Sequence, residues 1–82
     1  MTTLTVGQKL VSQVDQWTKQ EATVVKVERN EIFGEVEAHI IGTTTFHDGS
    51  TRPMHTRLNA EYEGDSIPNG FVPSAGAWKV QN

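Results

Sequence analysis

The 82-residue chain has no cysteine, so neither a disulfide nor a thiolate zinc site can brace it, and the fold must rest on packing alone. A domain of this length buries only roughly 60 to 65% of its unfolded surface, which leaves a small stability margin and little room for a deep internal active site. Long apolar runs are also missing. Nothing approaches the ~18 residues needed to span a bilayer, and Met1 to Lys9 shows no basic cluster followed by an apolar stretch. These absences predict one soluble, untargeted domain over residues 1–82, suited to a reducing cytoplasm and without membrane association. Positive charge is scarce as well: seven Lys and Arg against ten Asp and Glu leave a formal charge of −3. No basic stripe able to neutralise several phosphates is present, so duplex nucleic acid is a poor default partner.

What the chain does have is β-patterning, concentrated between Ala22 and Leu58. Apolar residues there recur mostly at every second position, and the interruptions carry turn chemistry, which predicts a three-stranded antiparallel meander. In the first of these strands Thr23, Val25 and Val27 are expected to share the buried face. Arg29-Asn30 reads as the corner, with Asn tolerating positive φ, and it sets Val27 opposite Ile32 and Thr23 opposite Val36. The next strand alternates most cleanly, with Ile32, Gly34, Val36, Ala38 and Ile40 toward a core and Glu31, Phe33, Glu35, Glu37 and His39 toward water. The alternation slips at Ile40-Ile41-Gly42, where glycine suggests a bulge. Asp48-Gly49 then reads as a two-residue hairpin turn that pairs His55 with Gly42. The returning strand holds Met54 and Leu58 on one face, and Pro53 marks it as an edge or a local break.

The flanks are less regular. Leu10, Val11, Val14 and Trp17 fall at helical spacing behind a Thr5-x-x-Gln8 capping-box signature, yet Gly7 and the β-branched Val6, Val11 and Val14 oppose a helix. Two readings stay open for residues 8–20, a short N-terminal helix or a first strand over Lys9 to Val14, with the strand preferred. From Asn59 the composition turns irregular through Gly76. Ala77 to Val80 then reads as a short closing strand whose Trp78 covers one end of the core. The expected core is Val25, Val27, Ile32, Val36, Ala38, Ile40, Met54 and Leu58.

No nucleophile elbow, zinc-protease helix, phosphate loop or dinucleotide fingerprint is present, and an enzyme is not expected. His39, His47 and His55 do not converge in the predicted register, so no metal site and no cofactor are expected. The carboxylates Glu35 and Glu37 read as the solvated face of a strand. Six aromatics remain, Trp17, Phe33, Phe46, Tyr62, Phe71 and Trp78. At least two must fill the core, and the others lie in or beside turns, where small β-barrels place ligand-contacting rings.

Val6-Gly7-Gln8-Lys9-Leu10, then Trp17 ahead of Ala22-Thr-Val-Val-Lys-Val, then Phe46-His-Asp48-Gly49-Ser and Arg57-Leu58, resembles the Tudor/agenet branch of the SH3-like barrels over residues 6–58. The spacing from Trp17 to Ala22 and the length from Glu31 to Phe46 both exceed that family's pattern. The resemblance implies a mainly β fold, a small SH3-like antiparallel barrel, and a ligand pocket at Trp17, Phe46 and Asp48 with Phe33 or Tyr62 as further walls. Aromatic rings and a carboxylate are suited to holding a cation. The expected function is therefore a non-enzymatic protein-binding module, an accessory or inhibitor protein with Trp17, Phe33, Phe46, Asp48 and Tyr62 as partner-binding residues. The alternative is a KOW-like nucleic-acid or ribonucleoprotein contact through Lys9, Lys19, Lys26, Arg52 and Arg57. An oligomer that covers the edge near Pro53 is a third possibility.

Overall fold

A computed structural model of the chain describes residues 1–68 and 77–81. Among the described residues there are seven strands: β1 (Thr2–Thr3), β2 (Lys9–Gln13), β3 (Lys19–Arg29), β4 (Val36–Thr45), β5 (Thr51–Asn59), β6 (Glu61–Tyr62) and β7 (Lys79–Val80). The fold is mainly β, and all its strand pairs are antiparallel. Among the described residues there is no helix, hence none long and apolar enough to cross a membrane. The strand reading of Lys9 onward is the one that holds. The Thr5-x-x-Gln8 signature does form, with the Thr5 N–H donating to Gln8 Oε1 at 2.8 Å and the Gln8 N–H to the Thr5 carbonyl at 3.2 Å. It closes a turn that feeds β2 instead of starting a helix, because the valines that follow favour extended backbone.

The main sheet has the order β5-β4-β3-β2-β7, so β2 to β5 form a meander and β7 returns beside β2. A two-stranded sheet, β1-β6, sits apart from it. One face of the main sheet supplies Leu10, Ala22, Val24, Ala38, Ile40 and Leu58 to a single cluster, and Leu4, Ala60, Ile67 and Trp78 complete it. Trp78 is fully buried and is the largest side chain in the core. It is held by reciprocal hydrogen bonds between the backbones of Ile67 and Trp78, 2.8 and 2.9 Å long. The expected closing segment is therefore present, with Trp78 inside the core. The tract 69–76, read as irregular from sequence, lies outside the described residues.

The meander between Ala22 and Leu58 forms as expected, but its registers differ in three places. In β3 the pairing jumps from Val24↔Ile40 to Lys26↔His39, leaving Val25 as a bulge. The bulge turns both Val24 and Val27 inward and leaves Val25 46% exposed. Val25 is thus not core, and the irregularity expected at Ile40-Gly42 lies on the neighbouring strand; β4 pairs with β5 without interruption.

The corner after β3 is also longer than a two-residue turn. Arg29 pairs with Val36, and residues 30–35 form a loop. Asn30 organises it through its side chain: Oδ1 accepts the N–H groups of Ile32 and Phe33 at 2.9 and 3.2 Å. Its φ is not positive. Ile32 therefore stands at the loop tip, 85% exposed, and not in the core.

The third difference is at the β4–β5 turn. Phe46 and Ser50 close a loop of His47, Asp48 and Gly49, in which the Gly49 N–H donates to the Phe46 carbonyl and Gly49 alone has positive φ, 85°. This is the three-residue hairpin with a left-handed glycine, not the two-residue turn. It moves the register by one, so Met54 lies opposite Gly42 and His55 opposite Ile41. Val36, Ala38 and Ile40 on β4 and Met54 and Leu58 on β5 still face inward, because the alternation within each strand does not depend on the register between them. Gly42 is required here: a Cβ on it would collide with the Glu21 carbonyl oxygen and lie 2.5 Å from the Ala22 Cα. Pro53 falls on β5, an edge of the main sheet, as its missing N–H demands.

Candidate functional surfaces

The pairings Gln13↔Lys19, Lys19↔Thr45 and Thr45↔Thr51 bring the β2–β3 and β4–β5 connections side by side at one end of the main sheet. Three of the sequence-predicted residues, Trp17, Phe46 and Asp48, lie there. The β2–β3 loop is tied to itself. The Trp17 N–H donates to Asp15 Oδ1 at 2.7 Å, the Val14 N–H to the Thr18 carbonyl at 3.0 Å, and Gln13 Nε2 spans the carbonyls of Asp15 and Thr18. With its backbone fixed in this way, the Trp17 ring stands 63% exposed.

Phe46 is half-buried, and the Arg52 guanidinium carbon lies 6.0 Å from its ring centroid, at the outer limit of a cation–π contact. Asp48 is committed to the turn. Its Oδ1 accepts the Ser50 hydroxyl at 2.6 Å and the Ser50 N–H at 2.9 Å, and these bonds hold its carboxyl below the usual aspartate value.

Phe33 and Tyr62 are not part of this end. Phe33 is at the tip of the 30–35 loop, 75% exposed, and Tyr62 pairs with Thr2 on β6. Both lie at the end where β4 starts and β5 finishes; β4 itself spans on the order of 30 Å at ~3.3 Å per residue. They cannot be walls of a pocket at Trp17. At their own end lies an open groove of about 640 Å³, lined by Tyr62, Pro68, Met1 and Leu58 together with Glu35, Glu37, Glu61 and Glu63. Tyr62 was a sequence candidate. The convergence of the four glutamates was not foreseen, because Glu61 and Glu63 come from a tract with no readable register.

The outward face of the sheet carries a third constellation. Lys26↔His39 and Glu28↔Glu37 are cross-strand pairs, and His39 Nε2 lies 2.9 Å from Glu28 Oε1. Lys26 Nζ sits 3.1 Å from Glu28 Oε2 and Arg57 Nη1 3.4 Å from Glu37 Oε2. Lys26 first, then His39, holds the Glu28 carboxyl below its ordinary value. One donor atom from each of Glu28, Glu37 and His39 falls within 4.8 Å of the others, a spacing a metal ion can use, although Lys26 and Arg57 already balance both carboxylates. His55 pairs with Ile41, His39 with Arg57, and His47 lies in a turn, so this group contains only one of the three histidines, which the sequence did not expect to converge.

No family model, no curated protein sequence and no solved structure matches this chain.

Proposed function

We propose that the chain is a non-enzymatic protein-binding module of the SH3-like kind, an accessory or inhibitor protein that contacts its partner through the Trp17 end of the sheet. The observation that carries this reading is the Trp17 loop. A large ring stands in solvent while the backbone beneath it is fixed by local hydrogen bonds, so little conformational entropy is lost when the ring is buried by a partner. Tryptophan, with tyrosine and arginine, is enriched among the few residues that dominate interface energetics. The neighbouring Phe46 and Arg52 extend the surface with an aromatic and an arginine, both enriched at interface centres.

The meander of β2 to β5 with β7 returned beside β2 supports the SH3-like kinship. Ion pairs weigh against the nucleic-acid reading. Of the cations it needs, Lys19 lies 2.9 Å from Glu21, and Lys26 and Arg57 face Glu28 and Glu37. A phosphate would have to compete with each of these carboxylates.

The test compares wild type with Trp17→Ala. Both are immobilised for capture from the native cell, and the affinity of the captured partner is then measured by calorimetry. The substitution is expected to weaken binding by more than about 1 kcal/mol, roughly fivefold, while the protein stays folded. A partner captured equally by both forms overturns the assignment of this surface.

A further inference from the structure

The groove at the opposite end has a composition that selects a different chemistry. Four glutamates, Glu35, Glu37, Glu61 and Glu63, converge on one open cavity whose lining is completed by Tyr62, Asn59, Met1, Leu58 and Pro68. They come from the end of the 30–35 loop, the start of β4, and β6 with the residue after it. Among the described residues only Glu37 has an ion-pair partner, Arg57; Glu35, Glu61 and Glu63 have none within 4.0 Å. The tract that follows Pro68, residues 69–76, contains no charged side chain, so it brings no cation to neutralise them. Like-charged carboxylates around one cavity repel each other and attract a counter-charge from outside.

We propose that this groove docks a basic segment of a partner protein, with a lysine or arginine side chain lying along Tyr62 and its charged end among the glutamates. The fit rests on charge complementarity and on the mixed character of the walls. Long basic side chains carry an apolar stem that packs on rings and aliphatic carbon while the cationic head stays with the carboxylates. The Tyr62 ring adds a quadrupole that favours a cation over its face. A cavity of about 640 Å³ exceeds the room one such side chain needs and leaves space for its backbone and neighbours. Ile32 and Phe33, exposed at the tip of the loop that supplies Glu35, offer apolar contact beyond the groove. This surface is independent of Trp17, so it extends the protein-binding reading without resting on that end of the sheet.

The probe is a fluorescein-labelled peptide, Gly-Lys-Lys-Arg-Lys-Gly, titrated into the ¹⁵N-labelled full chain at low and at moderate salt. The expected result is saturable binding that weakens with salt, with amide shifts concentrated at residues 35–37 and 58–63. Glu61→Gln/Glu63→Gln is expected to weaken it about tenfold, a loss of ~1.4 kcal/mol. Tyr62→Leu should weaken it further, and circular dichroism establishes that each variant is folded. Glu21→Gln, which removes a charge at the other end of the sheet, should bind as wild type. Shifts scattered over the whole acidic surface, a loss in Glu21→Gln equal to that in the double variant, or no binding at low salt each overturn the proposal. Displacement of the peptide by an equal concentration of spermidine would identify a polyamine site instead and overturn it too.

Discussion

The two tryptophans should respond to truncation in opposite ways. Trp78 is fully buried. An indole that buries up to ~250 Å² is worth a ceiling of about 6 kcal/mol at ~25 cal/mol/Å². Measured truncations of buried aromatics fall at about 3 to 5 kcal/mol, since neighbours partly collapse into the space. A domain of this size has a total stability of roughly 4 to 12 kcal/mol, so Trp78→Ala takes it to the edge of unfolding or beyond. Trp17 hides little more than a third of its surface. The same arithmetic gives a ceiling near ~2 kcal/mol, and about 1 once the compactness of the unfolded chain and the retained Cβ are allowed for. The assay is urea and thermal unfolding of both alanine variants, followed by circular dichroism. Trp78→Ala should melt at least ~15 °C below wild type or be unfolded at 25 °C, and Trp17→Ala within about 8 °C of it. Single-tryptophan variants made with phenylalanine give a second readout: Trp17 emission should be red-shifted and quenched by acrylamide, and Trp78 emission blue-shifted and protected. Similar melting temperatures for the two alanine variants, or an unprotected Trp78, would refute the assignment of Trp78 to the core and Trp17 to the surface.

Gly42→Ala should destabilise by about 3 kcal/mol or unfold the chain, because its Cβ meets backbone at Glu21 and Ala22, which cannot step aside as a flexible side chain would. Gly49→Ala, where nothing lies within 4 Å but φ is 85°, should lose only about 1 to 2 kcal/mol in the same urea titration. Asp48, held below its ordinary value of 3.8 by Ser50, stabilises the fold above that value, and this contribution is lost as pH falls through its lower folded-state pKa. Ser50→Ala, which removes the hydroxyl donor and keeps the backbone N–H, should therefore raise the Asp48 titration midpoint seen by NMR part of the way toward 3.8 and shrink that acid limb; an unchanged midpoint would mean that the Ser50 hydroxyl bond does not act on the charged form. Ala38→Asp should leave no folded protein, as it puts an unpaired carboxylate into a fully buried position, with loss of near-ultraviolet dichroism as the readout.

Several features were legible because they follow from local chemistry. β4 alternates strictly, so Val36, Ala38 and Ile40 could be assigned inward without knowing their partners. Pro53 cannot donate a ladder hydrogen bond and so marked an edge or a local break, and the edge is what β5 forms. Trp17 could be recognised as a surface residue from the polar stretch Asp15 to Gln20 around it, and it is exposed. The orientation of the β3 valines was not decidable in this way. Thr23-Val24-Val25-Lys26-Val27 offers a plausible face in either parity, and only pairing with Ile40 and His39 decides that Val25 bulges and that Val24 and Val27 turn inward. The Asp48-Gly49 turn was visible as a turn, but its loop length, which shifts β5 by one residue, depends on closure between Phe46 and Ser50. The grouping of the aromatics was likewise tertiary. Antiparallel pairing puts alternate loops at opposite ends of a sheet, so Phe33 and Tyr62 parted from Trp17 and Phe46, and four glutamates scattered over 29 residues of sequence met at one groove. Sequence determined which residues want burial and which can turn the chain, because those are properties of single residues and their near neighbours. Which loops share an end, and which charges meet there, was decided by long-range hydrogen-bond register, a property of residue pairs that no single stretch contains.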